Sequence, residues 1–290
     1  MNLINIVKKS YKNIMDNPTL TLLFVIFLIG TNMLLSCIVL AKTKIIAQLL
    51  IFGLFALVCI FLSGWFEVIK KTITAENIKE TNFYQIFSIG VTKNIIKTTL
   101  GTLLYVIILA SVVILCQIFA LKFFGNIDFF LNNMYSMPAD KMDVMQYFNN
   151  LSTEEKNIIY GWNFCILCGV GLFNFITMFY YPALFDETLE HNKNIMGYIL
   201  QPIRSMLKSF CFLFKNIINA VLIGIFLYFI NVILAIINTK TSANIFLSVI
   251  FLLVYIYFIA FVIMLIFNYY EERNHCNNRT DCLVQNENIN

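Results

Sequence analysis

The sequence predicts an all-α protein: a polytopic membrane bundle of six transmembrane helices, with an amphipathic interfacial helix at its N-terminus. Three observations carry this prediction. The 290 residues are 60% hydrophobic and 12% charged, against about 45–50% apolar and about 25% charged in a typical soluble domain. Charges vanish from six long stretches, and lysine and arginine crowd into every second connection between them. An apolar excess of this size would give a soluble chain an associating surface, whereas a bilayer removes the penalty by acting as the solvent.

The chain divides into an amphipathic segment 1–16, a six-helix membrane domain 17–270 and a polar tail 271–290. In the first segment, Leu3, Ile4, Val7, Tyr11, Ile14 and Met15 share one side of a helical wheel. Asn5, Lys9, Lys12 and Asp16 share the other, and Asn17-Pro18 provides a break. A basic helix of this kind either lies in the inner headgroup layer or docks on the bundle's own loops. The first two spans, about 18–41 and 45–66, occupy 25 and 22 uncharged positions, 17–41 and 45–66. Spans three to six, about 98–121, 158–184, 216–237 and 245–270, follow Lys97, Lys156, Lys215 and Lys240. Each satisfies the roughly 20 apolar residues that a helix needs to cross the hydrocarbon at about 1.5 Å per residue. The first run lacks a small-residue cleavage pattern, so it is expected to stay as a span rather than be removed as a leader.

With the N-terminus inside, fourteen of the twenty lysines and arginines fall on the inner side. Positive charge resists translocation, so both termini are expected in the cytoplasm. The abundance of Asn, Lys and Ile suggests an AT-rich bacterial genome, and hence a bacterial plasma membrane. The pairs Trp65-Phe66, Tyr180-Tyr181 and Tyr269-Tyr270 fall at inner boundaries as headgroup-level belt residues do, and Trp162 marks the outer end of span four. Ser152 and Glu155 have capping-box spacing just before it. The outer segment 122–157 is rich in Phe, Met and Tyr, which suits a stretch that rests on the leaflet or caps the bundle. Trp65 to Lys97 and Tyr181 to Lys215 are separated by 32 and 34 residues, a faint repeat of two inward hairpins that hairpins of this kind also produce by coincidence.

No ionisable residue falls well inside a span, where it would mark an ion path or proton relay. The polar candidates are amides and hydroxyls, among them Asn32, Asn163, Asn174 and Thr177. Asn163 and Asn174 are 11 residues apart and so share a helix face, with Thr177 close by. Gly161, Cys165 and Gly169 form a small-residue stripe on roughly the opposite face, where another helix can approach closely. The amides either line a polar path or act as interhelical glue. At the inner mouth of span four, Pro182 is expected to kink the helix beside Asp186 and Glu187; the two acids either bind a cation or a basic partner, or are solvated at headgroup level. Glu187 and His191 have the spacing of a helical pair.

Cysteines in the spans read as small packing residues. His275, Cys276 and Cys282 lack the ligand number and spacing of a zinc site. No phosphate loop, nucleophile elbow or His-Glu-x-x-His motif occurs, so no metal, cofactor, catalytic residue or nucleic-acid partner is expected.

The order of parts is nevertheless familiar. An amphipathic start, six spans, the Trp65-to-Lys97 hairpin, then Tyr181-Pro182-Ala183, acids and a lead with Ser205, Lys208 and Ser209 resemble a group of uncharacterised bacterial six-span proteins. That group is similar to the membrane domain found beside some glycerophosphodiester phosphodiesterases. The resemblance implies a six-span fold. It carries over no catalytic residue, because only a short polar segment follows span six. The expected function is that of a non-enzymatic organising or accessory protein in contact with the bilayer and a membrane partner. The alternative is a transport component, such as a permease subunit working with a separate ATPase subunit.

Overall fold

The structure, a computed structural model, describes residues 3–41, 43–74, 80–128, 148, 150–186, 195–241 and 244–287. Their regular structure is helical, without a strand. In chain order the helices are α1 (Leu3–Met15), α2 (Pro18–Val39), α3 (Lys44–Thr74), α4 (Glu80–Phe124) and α5 (Thr153–Ile176). They continue with α6 (Tyr180–Leu184), α7 (Ile195–Lys215), α8 (Ile217–Thr241) and α9 (Ile245–Glu287). Six stretches are long and apolar enough to cross a membrane: Pro18–Val39, Lys44–Thr74, Asn82–Phe124, Thr153–Leu184, Ile217–Thr241 and Phe246–Asn274. The chain is an all-α, multi-pass membrane protein.

Three elements depart from the sequence reading. α3 and α4 run past their spans at the lysine-rich end, and α9 continues through the segment expected to be a polar tail as far as Glu287. Span four is broken between α5 and α6. Pro182 has no N–H to give the carbonyl of Met178, and its ring crowds that carbonyl, so the helix opens into a turn there. The Thr177 hydroxyl closes α5 by donating to Phe173 O at 2.8 Å. Most of the segment 122–157, together with Glu187 and His191, lies outside the described residues, as do the side chains of His275, Cys276 and Cys282.

The chain packs as two compact units, Met1–Thr102 with Met178–Asn290, and Leu103–Thr177. The first is organised around aromatic rings. Trp65 stacks on Phe24 at 5.1 Å between centroids, and its indole N–H donates to Leu20 O at 3.2 Å, joining α3 to α2. Phe27 stacks on Phe61 at 4.0 Å one turn further along. Phe66 meets Phe185 and Phe267, while Phe179 and Phe212 enclose Tyr269 and Tyr270. The boundary aromatics therefore do not form a headgroup belt: Trp65, Phe66, Tyr180, Tyr269 and Tyr270 are buried as the core of this unit. Their rings supply large apolar area, while the indole N–H of Trp65 and the hydroxyls of Tyr180, Tyr269 and Tyr270 each find a partner inside.

α1 docks on α9 through Ile6, Ser10 and Ile14, a stripe at i, i+4 and i+8. Asn268 donates to the Ser10 hydroxyl at 2.9 Å, and Lys9 pairs with Glu272 at 3.0 Å. Of the apolar side read from sequence, Ile14 is in this contact, whereas Ile4, Tyr11 and Met15 are exposed, because the contact face includes a serine whose partner lies far away in the chain.

The second unit is an antiparallel pair made by the latter part of α4 and α5. α4 ends at Gly125, whose φ of +96° is a left-handed cap that favours glycine. Gly125 O accepts the Trp162 indole N–H at 2.9 Å. α5 opens with a complete capping box, in which the Glu155 amide donates to the Ser152 hydroxyl and the Ser152 amide donates to the Glu155 carboxylate.

Two glycines of α3 and α4 give opposite expectations. A Cβ on Gly90 would sit 2.6 Å from Glu67 Cβ, whereas one on Gly53 would meet nothing within 4 Å. Gly90→Val is expected to destabilise the detergent-solubilised protein by about 1–3 kcal/mol through overpacking. Gly53→Ala should be neutral or stabilising by up to about 1 kcal/mol. Thermal unfolding followed by size-exclusion fluorescence separates the two.

Candidate functional site

The chemically richest region lies in the first unit, where the chain leaves α6. A helix C-terminus presents carbonyls with no partner of their own. Here Lys70 of α3 donates to Phe185 O at 2.9 Å, and Gln201 of α7 reaches Leu184 O at 3.4 Å. The next residue, Asp186, is 6% exposed. Its Oδ2 accepts Lys208 Nζ at 2.6 Å, Asn274 Nδ2 at 2.8 Å and the Tyr270 hydroxyl at 3.1 Å. Asp186 is therefore a buried, charge-paired hub and not an acid solvated at headgroup level. Burial makes the pair costly to form and costly to break, since removing one partner strands the other charge.

Helical periodicity brings these groups together. Gln201, Ser205, Lys208 and Ser209 occupy one face of α7, and that face is turned inward. On α9, Tyr270 and Asn274 are one turn apart and serve Asp186, while Asn268 and Glu272 project from the opposite side to hold α1. One helix thus ties two polar contacts together from its two faces.

A second buried acid lies at the corresponding end of α3. Glu67 Oε2 accepts Asn94 Nδ2 at 3.0 Å, beside Gly90 on α4. Lys97 is buried one turn further on, its Nζ 5.0 Å above the Phe185 ring. Both lysine-rich hairpins therefore set an acid at the end of one helix against the polar face of the returning helix. Three buried groups of this layer, Asn94 Oδ1, Thr98 Oγ1 and Ser209 Oγ, have no hydrogen-bond partner among the described residues.

The residues singled out from sequence are distributed differently. Pro182 and Asp186 belong to this layer, and Glu187 lies outside the described residues. Asn32 is exposed on α2 and donates to Leu28 O of its own helix at 2.9 Å. Asn163 is exposed on α5. Asn174 accepts the Tyr105 hydroxyl at 2.7 Å, a contact between α5 and α4, and Thr177 is bound to its own helix. Within the second unit, Asn174 and Thr177 are brought together at the Tyr105 hydroxyl. Gly161 and Gly169 face α4: a Cβ at Gly161 would enter the Phe124 ring, and one at Gly169 would collide with the Cys116 sulfur. Cys165 lies half-buried between them. An open groove of about 560 Å³ lies at that end of the second unit, lined by Phe123, Phe124, Glu154, Asn157, Ile158 and Phe164 among others.

Sequence reasoning missed Glu67, Asn94, Lys97, Lys208 and Tyr270 as interior residues. The available signal was the spacing on α7, where the uncharged polar residues Gln201, Ser205 and Ser209 recur every fourth position. Comparison with protein-family models, curated proteins and solved structures finds no match.

Asp186→Ala is expected to cost about 3 kcal/mol, the lower end for a broken buried pair because Lys208 is partly exposed. Adding Lys208→Met should recover part of that loss by removing the stranded ammonium. Thermal stability in detergent of both single variants and the double variant checks the coupling.

Proposed function

We propose that this chain is a non-enzymatic organising or accessory protein of a bacterial plasma membrane, with both termini in the cytoplasm and a second membrane polypeptide as its partner. The observation that carries the reading is Asn32, an amide exposed within an otherwise apolar span. An amide facing hydrocarbon is costly, and a helix from another chain relieves the cost by hydrogen bonding across the interface. The spans support the same reading, since at most 28% of any spanning window is buried within the chain. Much lateral surface is thereby left for lipid or for other helices. The buried acids Glu67 and Asp186 hold the hairpins together through Asn94, Lys208, Tyr270 and Asn274, which gives them structural work. Kinship with the membrane domain found beside some glycerophosphodiester phosphodiesterases is part of this proposal.

A photo-reactive residue at Met33, one position from Asn32 and exposed, is expected to crosslink in native membranes to one constant polypeptide. Asn32→Leu should lower that yield several-fold. Adducts with lipid alone would count against an organising role.

The second reading is a transport component that works with a separate ATPase. The layer of buried Glu67, Lys97 and Asp186, with half-buried Lys208, at the ends of spans favours it, because charge held there is a common mark of ion and solute pathways. Solute movement in liposomes containing the chain and a co-purifying ATPase, lost in Asp186→Asn, would replace the first reading with the second.

A further inference from the structure

α7 is amphipathic with its faces reversed relative to a helix of a soluble protein. Its polar residues Gln201, Ser205 and Ser209 are buried, and Lys208 is drawn in toward Asp186. Ile199, Ile203, Leu207 and Phe214 form an exposed apolar strip on the other side, Leu207 reaching 61% exposure. At about 100° per residue the strip is bordered along one edge by Arg204 and Lys215, both exposed. α1 repeats the arrangement. Ser10 is spent inward on Asn268, while Ile4, Tyr11 and Met15 are exposed beside Lys8 and Lys12.

A helix facing water would reverse this pattern. An apolar strip bordered by cations is the complement of the acyl and headgroup boundary of an anionic leaflet, where aliphatic side chains enter the chains and Lys or Arg reach the phosphates. We propose that α7 and α1 form an anionic-phospholipid-binding surface and that 195–215, the lead into the fifth span, lies in the headgroup layer. The strips enter the acyl chains; Arg204, Lys215, Lys8 and Lys12 hold the phosphates. The Asp186–Lys208 pair is then screened from water by lipid as well as by protein. This surface is separate from Asn32, so it stands or falls independently of the partner proposed above.

The test uses the full chain reconstituted in vesicles of phosphatidylcholine and of an equimolar phosphatidylcholine–phosphatidylglycerol mixture. Leu207→Trp, with Ile203→Trp as a second probe in case the first fails to fold, should add blue-shifted emission that lipids brominated near the headgroup quench. Gentle delipidation should leave phosphatidylglycerol bound in preference to phosphatidylcholine. Each change among Arg204→Gln, Lys215→Gln, Lys8→Gln and Lys12→Gln should reduce that preference about fivefold, from roughly 1 kcal/mol per cation. Red-shifted emission open to aqueous quenchers would overturn the placement. A blue-shifted indole that brominated lipid does not quench would mean that protein covers the strip. Equal retention of the two lipids would overturn the anionic preference.

Discussion

The first unit depends on one carboxylate being buried. Asp186 follows a helix too short to hold itself in place, and it is fixed by a lysine from α7 and by a tyrosine and an asparagine from α9. Each donor lies on a helix whose position is otherwise set by apolar packing, which in a bilayer has little directional preference because lipid tails are as apolar as the side chains. Polar contacts therefore supply the register that packing alone does not. Lys70 and Gln201 extend the same logic to the end carbonyls of α6, so the break at Pro182 becomes a junction for α3, α7 and α9.

The rings around this junction follow from it. A charged pair inside a protein needs water excluded and its polar tips satisfied, and Tyr270 does both by packing against Phe212 and donating to Asp186. Trp65 does the same between α2 and α3. Boundary aromatics that read as a belt are consumed as core because the helices run past their apolar stretches at the lysine-rich end, leaving protein where a headgroup layer was expected.

The number of spans and their helical type were legible because a charge-free stretch of sufficient length has one structural use in a chain this apolar. The Ser152 cap was legible because its partner is three residues away. What was not legible depends on distance along the chain. Glu67 and Asn94 are 27 residues apart, Asp186 and Asn274 88, and Ser10 and Asn268 258. Periodicity shows that Ser10 and Ile14 share a face, but not that the face meets a distant asparagine, so the side of α1 that docks was not legible. Lys97 and Lys208 carry no mark of an inward position in the sequence, because a lysine near a span end usually reaches the interface. Their burial is a property of the partners they meet.

The inversion of α7 follows from the same constraint. A helix that turns Gln201, Ser205 and Lys208 inward is left with an outer side of isoleucine, leucine and phenylalanine edged by Arg204 and Lys215. In water that exposed strip would oppose the fold it accompanies. Against acyl chains it costs nothing, and retaining Lys208 inward is cheaper because hydrocarbon competes for no hydrogen bond. The interior ion pair and the apolar exterior of α7 therefore require the same surroundings: a polar hub closed by an amphipathic helix is stable at the depth where the solvent outside is lipid.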